Sequence, residues 1–190
     1  MGVPLLSLAT SFTETDTISG IVNFLFQRRL NMTAIEAISE DEKFMKIALE
    51  EAHKAKEHDE VPIGAIIVKN GEIIGRGFNR PILTSDPTAH AEIIAMREAA
   101  LITGNYRLAG CDLYVTIEPC MMCLGAMIQA RIERLIYGSE DPKSGAADLL
   151  KSFQESGRML NHGIKISSGV LKKQCAGIIE NFFLEMRKKK

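Results

Sequence analysis

From Ser39 to about His58, apolar residues recur every three or four positions. Phe44, Ile47, Ala48, Ala52 and Ala55 share one helical face, and Glu and Lys fill the other. Ser39 with Glu42 three residues on is a capping box that would open this helix. The period then changes. Pro62 to Lys69 is a β-branched run, Asn70-Gly71 is a strong hairpin signal, and Glu72 to Asn79 predicts the returning strand. A proline-containing loop, Arg80 to Thr88, leads to a helix that starts near Ala89. That helix carries Ile93, Ile94, Met96 and Leu101 and stops at Gly104-Asn105. Asp112 to Ile117 predicts a strand, Cys120 to Arg131 a helix, and Arg134 to Tyr137 another strand. Beyond the loop Gly138 to Gly145 come a helix over Ala146 to Phe153, a fifth strand over Ile164 to Ser167 and a last helix near Leu171 to Arg187. Strands that alternate with helices after an opening hairpin predict a mixed sheet sandwiched by helices, an α/β fold.

Residues 1–38 break this regularity, mixing Ser, Thr, single acids and short apolar runs. Ile21 to Phe26, interrupted by Asn23, is far too short to span a bilayer. The first cationic residues, Arg28 and Arg29, come late for a secretory signal, and Glu14 and Asp16 precede them, unlike a mitochondrial presequence. Two readings remain. The segment is a poorly structured N-terminal extension, or the natural start is Met32 and the upstream residues are a mis-assigned reading frame; the second is favoured.

Composition narrows the class. A chain of 190 residues has room for one domain plus an extension, and 46% hydrophobic with 25% charged residues is ordinary for a globular protein. A net charge of −1 offers no global attraction to nucleic acid, so any RNA contact must come from a local patch. Four cysteines make no disulfide framework and fit a reducing, cytoplasmic setting. Cys111 and Cys175 read as small buried hydrophobes.

The other two cysteines belong to a pattern with chemistry in it: His90-Ala91-Glu92 read with Pro119-Cys120-Met121-Met122-Cys123. One imidazole and two thiols are the three ligands that a catalytic zinc keeps while leaving its fourth position open. Zinc held this way lowers the pKa of bound water toward about 7. Glu92, two residues past His90, points away from the imidazole on a regular helix and is better cast as a proton carrier than as a ligand. C-x-x-C alone also marks redox pairs and structural zinc sites. H-x-E followed by P-C-x-x-C is far more specific, being the general signature of zinc nucleobase deaminases. Both ligand groups fall at starts of helices that follow loops or strands, where positive partial charge favours thiolate. The reading is therefore a zinc-dependent deaminase domain over residues 39–190.

The chain resembles the bacterial-type tRNA-specific adenosine deaminases, of the cytidine/deoxycytidylate deaminase superfamily, from about Glu42 to its end. The resemblance runs through Gly77-Phe78-Asn79-Arg80-Pro81, Asp86-Pro87-Thr88-Ala89-His90-Ala91-Glu92-Ile93, Asn105-Tyr106-Arg107-Leu108, Leu113 to Cys123 and Gly125-Ala126-Met127-Ile128. It implies a three-layer α/β/α cytidine-deaminase-like fold with a mixed five-stranded sheet, one zinc per subunit on His90, Cys120 and Cys123, and proton shuttling by Glu92. It implies a homodimer, and hydrolytic deamination of adenosine to inosine at the wobble position of a tRNA anticodon stem–loop, with no organic cofactor and no membrane. It also implies that Asn79 hydrogen-bonds the flipped adenine and that Asp141 and Lys143 lie in a loop bordering the RNA groove. Without the resemblance, Asn79 reads as a strand-end turn residue. The chain departs from the family at Asp148, where Gly is expected.

Phe182 and Phe183 sit among Lys172, Lys173, Arg187 and Lys188 to Lys190. Aromatic stacking with phosphate contacts is one reading of this region; a solvated helix end with core phenylalanines is the other. Two rival functions stand beside RNA editing. One is a zinc deaminase of a free base or nucleoside such as cytidine or guanine; the other is a non-catalytic RNA-binding subunit.

Overall fold

The hairpin at Asn70-Gly71 seeds the sheet. Both turn residues have positive φ, 53° and 80°, which matches the twist of the flanking strands. The computed structural model describes residues 40–156 and 162–189; the Ser39 cap and the N-terminal extension lie outside them. In chain order the elements are α1 (40–57), β1 (Gly64–Lys69), β2 (Glu72–Phe78), α2 (Pro81–Thr84), α3 (Ala91–Thr103), β3 (Cys111–Ile117), α4 (Met121–Ala130), β4 (Arg134–Ser139), α5 (Ala147–Glu155), β5 (Lys165–Ser168) and α6 (Lys172–Lys188).

Strand order is β2-β1-β3-β4-β5. β1 runs antiparallel to β2 and β3, whereas β3, β4 and β5 are mutually parallel, so the five-stranded sheet is mixed as predicted. Side chains alternate across it with period two. Ala65, Ile67, Leu113, Val115, Leu135 and Tyr137 face α3, α4 and α5, meeting Ala95, Met96, Leu124, Met127 and Leu150. Ile66, Val68, Tyr114 and Ile136 face the other way, onto Phe44, Met45, Ala48 and Ala52 of α1 and Cys175 and Ile178 of α6. Two cores with one sheet between them make the three-layer α/β/α fold.

α1 is tied down electrostatically at its first turn. The Tyr114 hydroxyl donates to Asp41 at 2.7 Å, and Arg134 bridges Asp41 and Asp112 at 2.8 and 2.9 Å. No helix among the described residues is long and apolar enough to cross a membrane.

Some predicted boundaries shift. The Arg80 to Thr88 loop contains a short helix, α2: Pro81 presets φ at its first position, and Glu60 accepts the Leu83 N–H at 2.7 Å. The helices expected at Ala89 and Cys120 begin at Ala91 and Met121, leaving His90 and Cys120 as extended N-cap residues. β4 continues to Ser139, because Ser139 still pairs with Ile117.

α3 lies directly on β2. A Cβ on Gly77 would run into the Ala91 carbonyl oxygen and the Ala95 nitrogen, and one on Gly75 into the Ala95 carbonyl oxygen. These obstacles are helix backbone, which cannot rotate aside. Gly77→Ala is therefore expected to cost about 1–3 kcal/mol in denaturant unfolding. Because α3 begins one residue after His90, the same variant should also hold zinc less tightly in a chelator competition.

Candidate active site

β3 ends at Ile117, and the next three residues carry the chain across to α4. Glu118 fastens this crossing: its two carboxylate oxygens accept the Asp141 N–H at 3.1 Å and the Ala147 N–H at 2.9 Å. The Pro119 carbonyl accepts the Ala146 N–H at 3.0 Å, and Cys120 bridges to Gly145. Cys120 thus arrives at the helix start with extended backbone, φ −78° and ψ 172°. His90 stands likewise before α3, φ −75° and ψ 151°. Neither side chain caps its own helix, so both are available to converge. Cys123 follows on the first turn of α4, fully buried.

The convergence is close. Cys120 Sγ lies 3.8 Å from Cys123 Sγ, and His90 Nδ1 lies 3.7 and 3.6 Å from the two sulfurs. Around a tetrahedral zinc, Zn–S bonds of about 2.3 Å and a Zn–N bond of about 2.0–2.1 Å would put sulfurs about 3.8 Å apart and sulfur and nitrogen about 3.6 Å apart. His90, Cys120 and Cys123 also form the group with metal-ligand spacing among the described residues. Distances and donor types both suit zinc.

Protonation in the cluster is set by its own members. The Cys123 thiol, then His90, hydrogen-bond to Cys120 and bring its thiol down to about 3. Cys120 in turn pushes Cys123 up, with burial adding to it. His90 is raised by its bond to Cys120. Together the two sulfurs hold one negative charge, and a divalent cation would release the remaining proton. Glu92 sits buried on the first turn of α3, and that burial raises its carboxyl.

Asn79 closes β2 with its N–H on the Ile63 carbonyl at 2.9 Å. The residue is 6% exposed, and Oδ1 has no hydrogen-bond partner among the described residues. An Asn in a turn would use that oxygen to accept a nearby N–H. Instead it stands as a buried acceptor, and leaving such a group unpaired costs about 1–3 kcal/mol.

The other residues singled out from the sequence form a second group. Lys143, Phe182 and Phe183 line a cavity of about 530 Å³ with Val61, Ile82 and Arg187. Asp141, Lys143 and Phe183 line a neighbouring one of about 410 Å³. The two phenylalanines differ: Phe182 is buried and Phe183 is exposed, their rings meeting edge-on at 5.5 Å. Asp141 spends its carboxylate on its own loop, accepting the N–H groups of Lys143 at 2.9 Å and Ser144 at 3.3 Å. Asp148 pairs with Lys151 at 2.9 Å, so its added charge is partly offset on its own helix. Of the basic residues near the C-terminus, Lys172 pairs with Glu140, Lys189 pairs with Asp59 and Arg187 donates to the Phe183 carbonyl; Lys190 lies outside the described residues.

Sequence reasoning passed over Glu118 and Glu60. Glu118 was visible only as the residue before Pro119. Its role depends on a loop that returns more than twenty positions later, and no local signal marks it.

With the site laid out, its relatives can be placed. Residues 38–139 match the profile of the cytidine and deoxycytidylate deaminase zinc-binding region. The chain is 45% identical to the tRNA-specific adenosine deaminase of Bacillus subtilis over 80% of its own length and 94% of the relative's. It is 47% identical to the tRNA-specific adenosine deaminase of Haemophilus influenzae, over 84% and 92%. A solved structure from studies of A-to-I editing by tRNA:A34 deaminases at the wobble position of transfer RNA superposes with a TM-score of 0.67 at 47% identity, covering 72% of this chain and 98% of that one. The matched profile spans the His-Cys-Cys cluster, the relatives cover four fifths of the chain, and the chain belongs to the cytidine and deoxycytidylate deaminase zinc-binding family, among the tRNA-specific adenosine deaminases.

Proposed function

We propose that the protein deaminates adenosine to inosine at the wobble position of tRNA. His90, Cys120 and Cys123 would hold one zinc per subunit, and Glu92 would carry the protons. The observation that carries this reading is the spacing of the three ligand atoms, 3.6 to 3.8 Å, beside a buried carboxylate that ligates nothing. A purely structural site has no use for that carboxylate.

The chain's own groups divide the work. Lys143, Arg187 and Phe183 suit a phosphate and a base of an anticodon stem–loop. A wobble adenosine in such a loop is unpaired, so turning it into the pocket forfeits no base pair. Asn79 Oδ1 accepts a purine donor and orients the ring. When bound, zinc supplies the Lewis acidity that makes water nucleophilic near neutral pH. Glu92 takes the proton released by the attacking water and gives it to ring N1. It next takes the remaining proton from the hydroxyl now on C6 and delivers it to the C6 amino group; the C6–N bond breaks, ammonia leaves, the C6 carbonyl forms and inosine remains. Buried beside the ligands, Glu92 makes these transfers away from bulk solvent. Residues 39–190 act as one deaminase domain in the cytoplasm.

A homodimer fits the outer face of α3 and α4. Ile93, Met96, Met122 and Ala126 line a cavity of about 420 Å³ there. Leu101, Tyr106 and Met121 are exposed on α3, α4 and the turn between α3 and β3. Apolar area of this kind is normally covered.

Product analysis by mass spectrometry tests the function. Zinc-loaded protein should convert the loop adenosine of a wobble-adenosine stem–loop to inosine and leave free adenosine, cytidine and guanine unchanged. Turnover of a free base alone would move the protein to nucleotide salvage, and RNA binding without turnover would make it a binding subunit. Glu92→Ala should keep zinc and RNA binding while losing about a hundred- to ten-thousand-fold in rate. Cys120→Ala should lose the metal, and unchanged zinc content would refute its assignment. Met122→Glu should shift the sedimentation coefficient from dimer toward monomer; an unchanged value would exclude that face.

A further inference from the structure

Glu60 is a carboxylate, 1% exposed, that the deamination chemistry leaves unused. The end of α1 puts it there. The His58 and Glu60 N–H groups both donate to the Ala55 carbonyl, at 3.0 and 3.1 Å, and Asp59 takes φ 56°. This reversal turns Glu60 inward, where Oε1 accepts the Leu83 backbone N–H at 2.7 Å.

That bond serves the N-terminal turn of α2. Four residues are too few to sustain a helix in isolation. Pro81 brings no N–H, and Arg80 at the N-cap makes no side-chain cap bond. Thr84 N and Oγ1 bond the Arg80 carbonyl at 3.1 and 2.8 Å, and the Ser85 and Asp86 N–H groups close the other end on the Ile82 and Pro81 carbonyls, which leaves the Leu83 N–H at the start to Glu60. Glu60 therefore caps α2 from a different part of the chain, doing what an N-cap side chain does locally.

The position of α2 matters because of what it exposes. Ile82 is 76% exposed and lines the 530 Å³ cavity with Asp59, Lys143, Phe182, Phe183 and Arg187. α6 and the turn after α1 supply most of the lining, and α2 contributes Ile82. The groups nearer the chemistry have separate anchors: Asn79 N bonds Ile63 O at 2.9 Å, and Arg80 N bonds Ala89 O at 3.0 Å.

We propose that Glu60 is a positioning residue for RNA capture: by capping α2 through Leu83, it sets Ile82 as the wall of a slot that takes a base flanking the reacting adenosine. The inference rests on the RNA-editing function proposed above. The apolar Ile82, an exposed aromatic and two cations, with the one carboxylate of the lining, Asp59, already paired to Lys189, suit a base with its phosphate. Losing the cap lets α2 fray, which weakens capture and leaves the bond-breaking step alone.

Steady-state kinetics on the zinc-loaded full chain with a wobble-adenosine stem–loop test it. Glu60→Ala should raise KM about five- to tenfold, the size of a lost helix cap, with kcat within about twofold and zinc content unchanged. Glu60→Gln keeps an acceptor oxygen and should restore the wild-type KM. Ile82→Ala should raise KM similarly, and the double variant should be no worse than the poorer single one, because both act through one wall. An unchanged KM in Glu60→Ala, or additive effects in the double variant, would overturn the proposal while leaving RNA editing intact. A joint loss of kcat, zinc and stability that Gln fails to rescue would reduce Glu60 to structural support. A wild-type protein inert on the stem–loop would overturn the editing function first.

Discussion

Three ligand atoms from two separate helices must meet within 3.8 Å, and the fold can be understood as what keeps them there. Each helix start is held against the sheet by contacts that allow little play. α3 rests on β2 with only glycine between the backbones, and the crossing into α4 is fastened by Glu118 and the Pro119 carbonyl. Neither His90 nor Cys120 caps its helix, so orphan N–H groups and their positive partial charge remain directed at the site. The same arrangement favours the Cys120 thiolate and leaves a buried carboxylate, Glu92, near it. Packing, electrostatics and chemistry meet at one place because two helices begin there.

Much of the fold was legible in the sequence because its signals are local. Asn70-Gly71 announced the hairpin, β-branched runs announced the inner strands, and the Phe44 to Ala55 stripe announced the α1 face that now packs on Tyr114 and Ile136. α2 escaped notice for a physical reason. A four-residue helix has no periodicity to read, and the bond that supports it comes from Glu60, some twenty positions earlier. The extended N-caps at His90 and Cys120 were likewise invisible, since a ligand and a first helical residue look alike in a string of letters.

The site divides along the same line. The His90, Cys120 and Cys123 cluster was legible because zinc chemistry restricts ligand type and spacing so tightly. Glu92 was legible only through the H-x-E motif, and the fold buries it on the first turn of α3. Asn79 reads as a turn residue on its composition, whereas the fold buries it with an oxygen unpartnered among the described residues. Phe182 and Phe183 left two readings open, stacking on a base or core packing; one is core and the other is surface, a difference set by helix phase against the sheet. The basic residues around them left a choice between phosphate contacts and a solvated helix end, and of these Lys189 faces Asp59 and Lys172 faces Glu140.

The central claim is that two sulfurs and one imidazole nitrogen hold a zinc with a fourth position open. X-ray absorption at the zinc edge, on protein purified without added chelator, tests it most directly. The account predicts two sulfur scatterers at about 2.3 Å and two light scatterers at about 2.0–2.1 Å, one of them with the outer-shell signature of an imidazole. A shell of four sulfurs would mean a closed structural site, and a shell without sulfur would mean that Cys120 and Cys123 are not ligands; either result would contradict it.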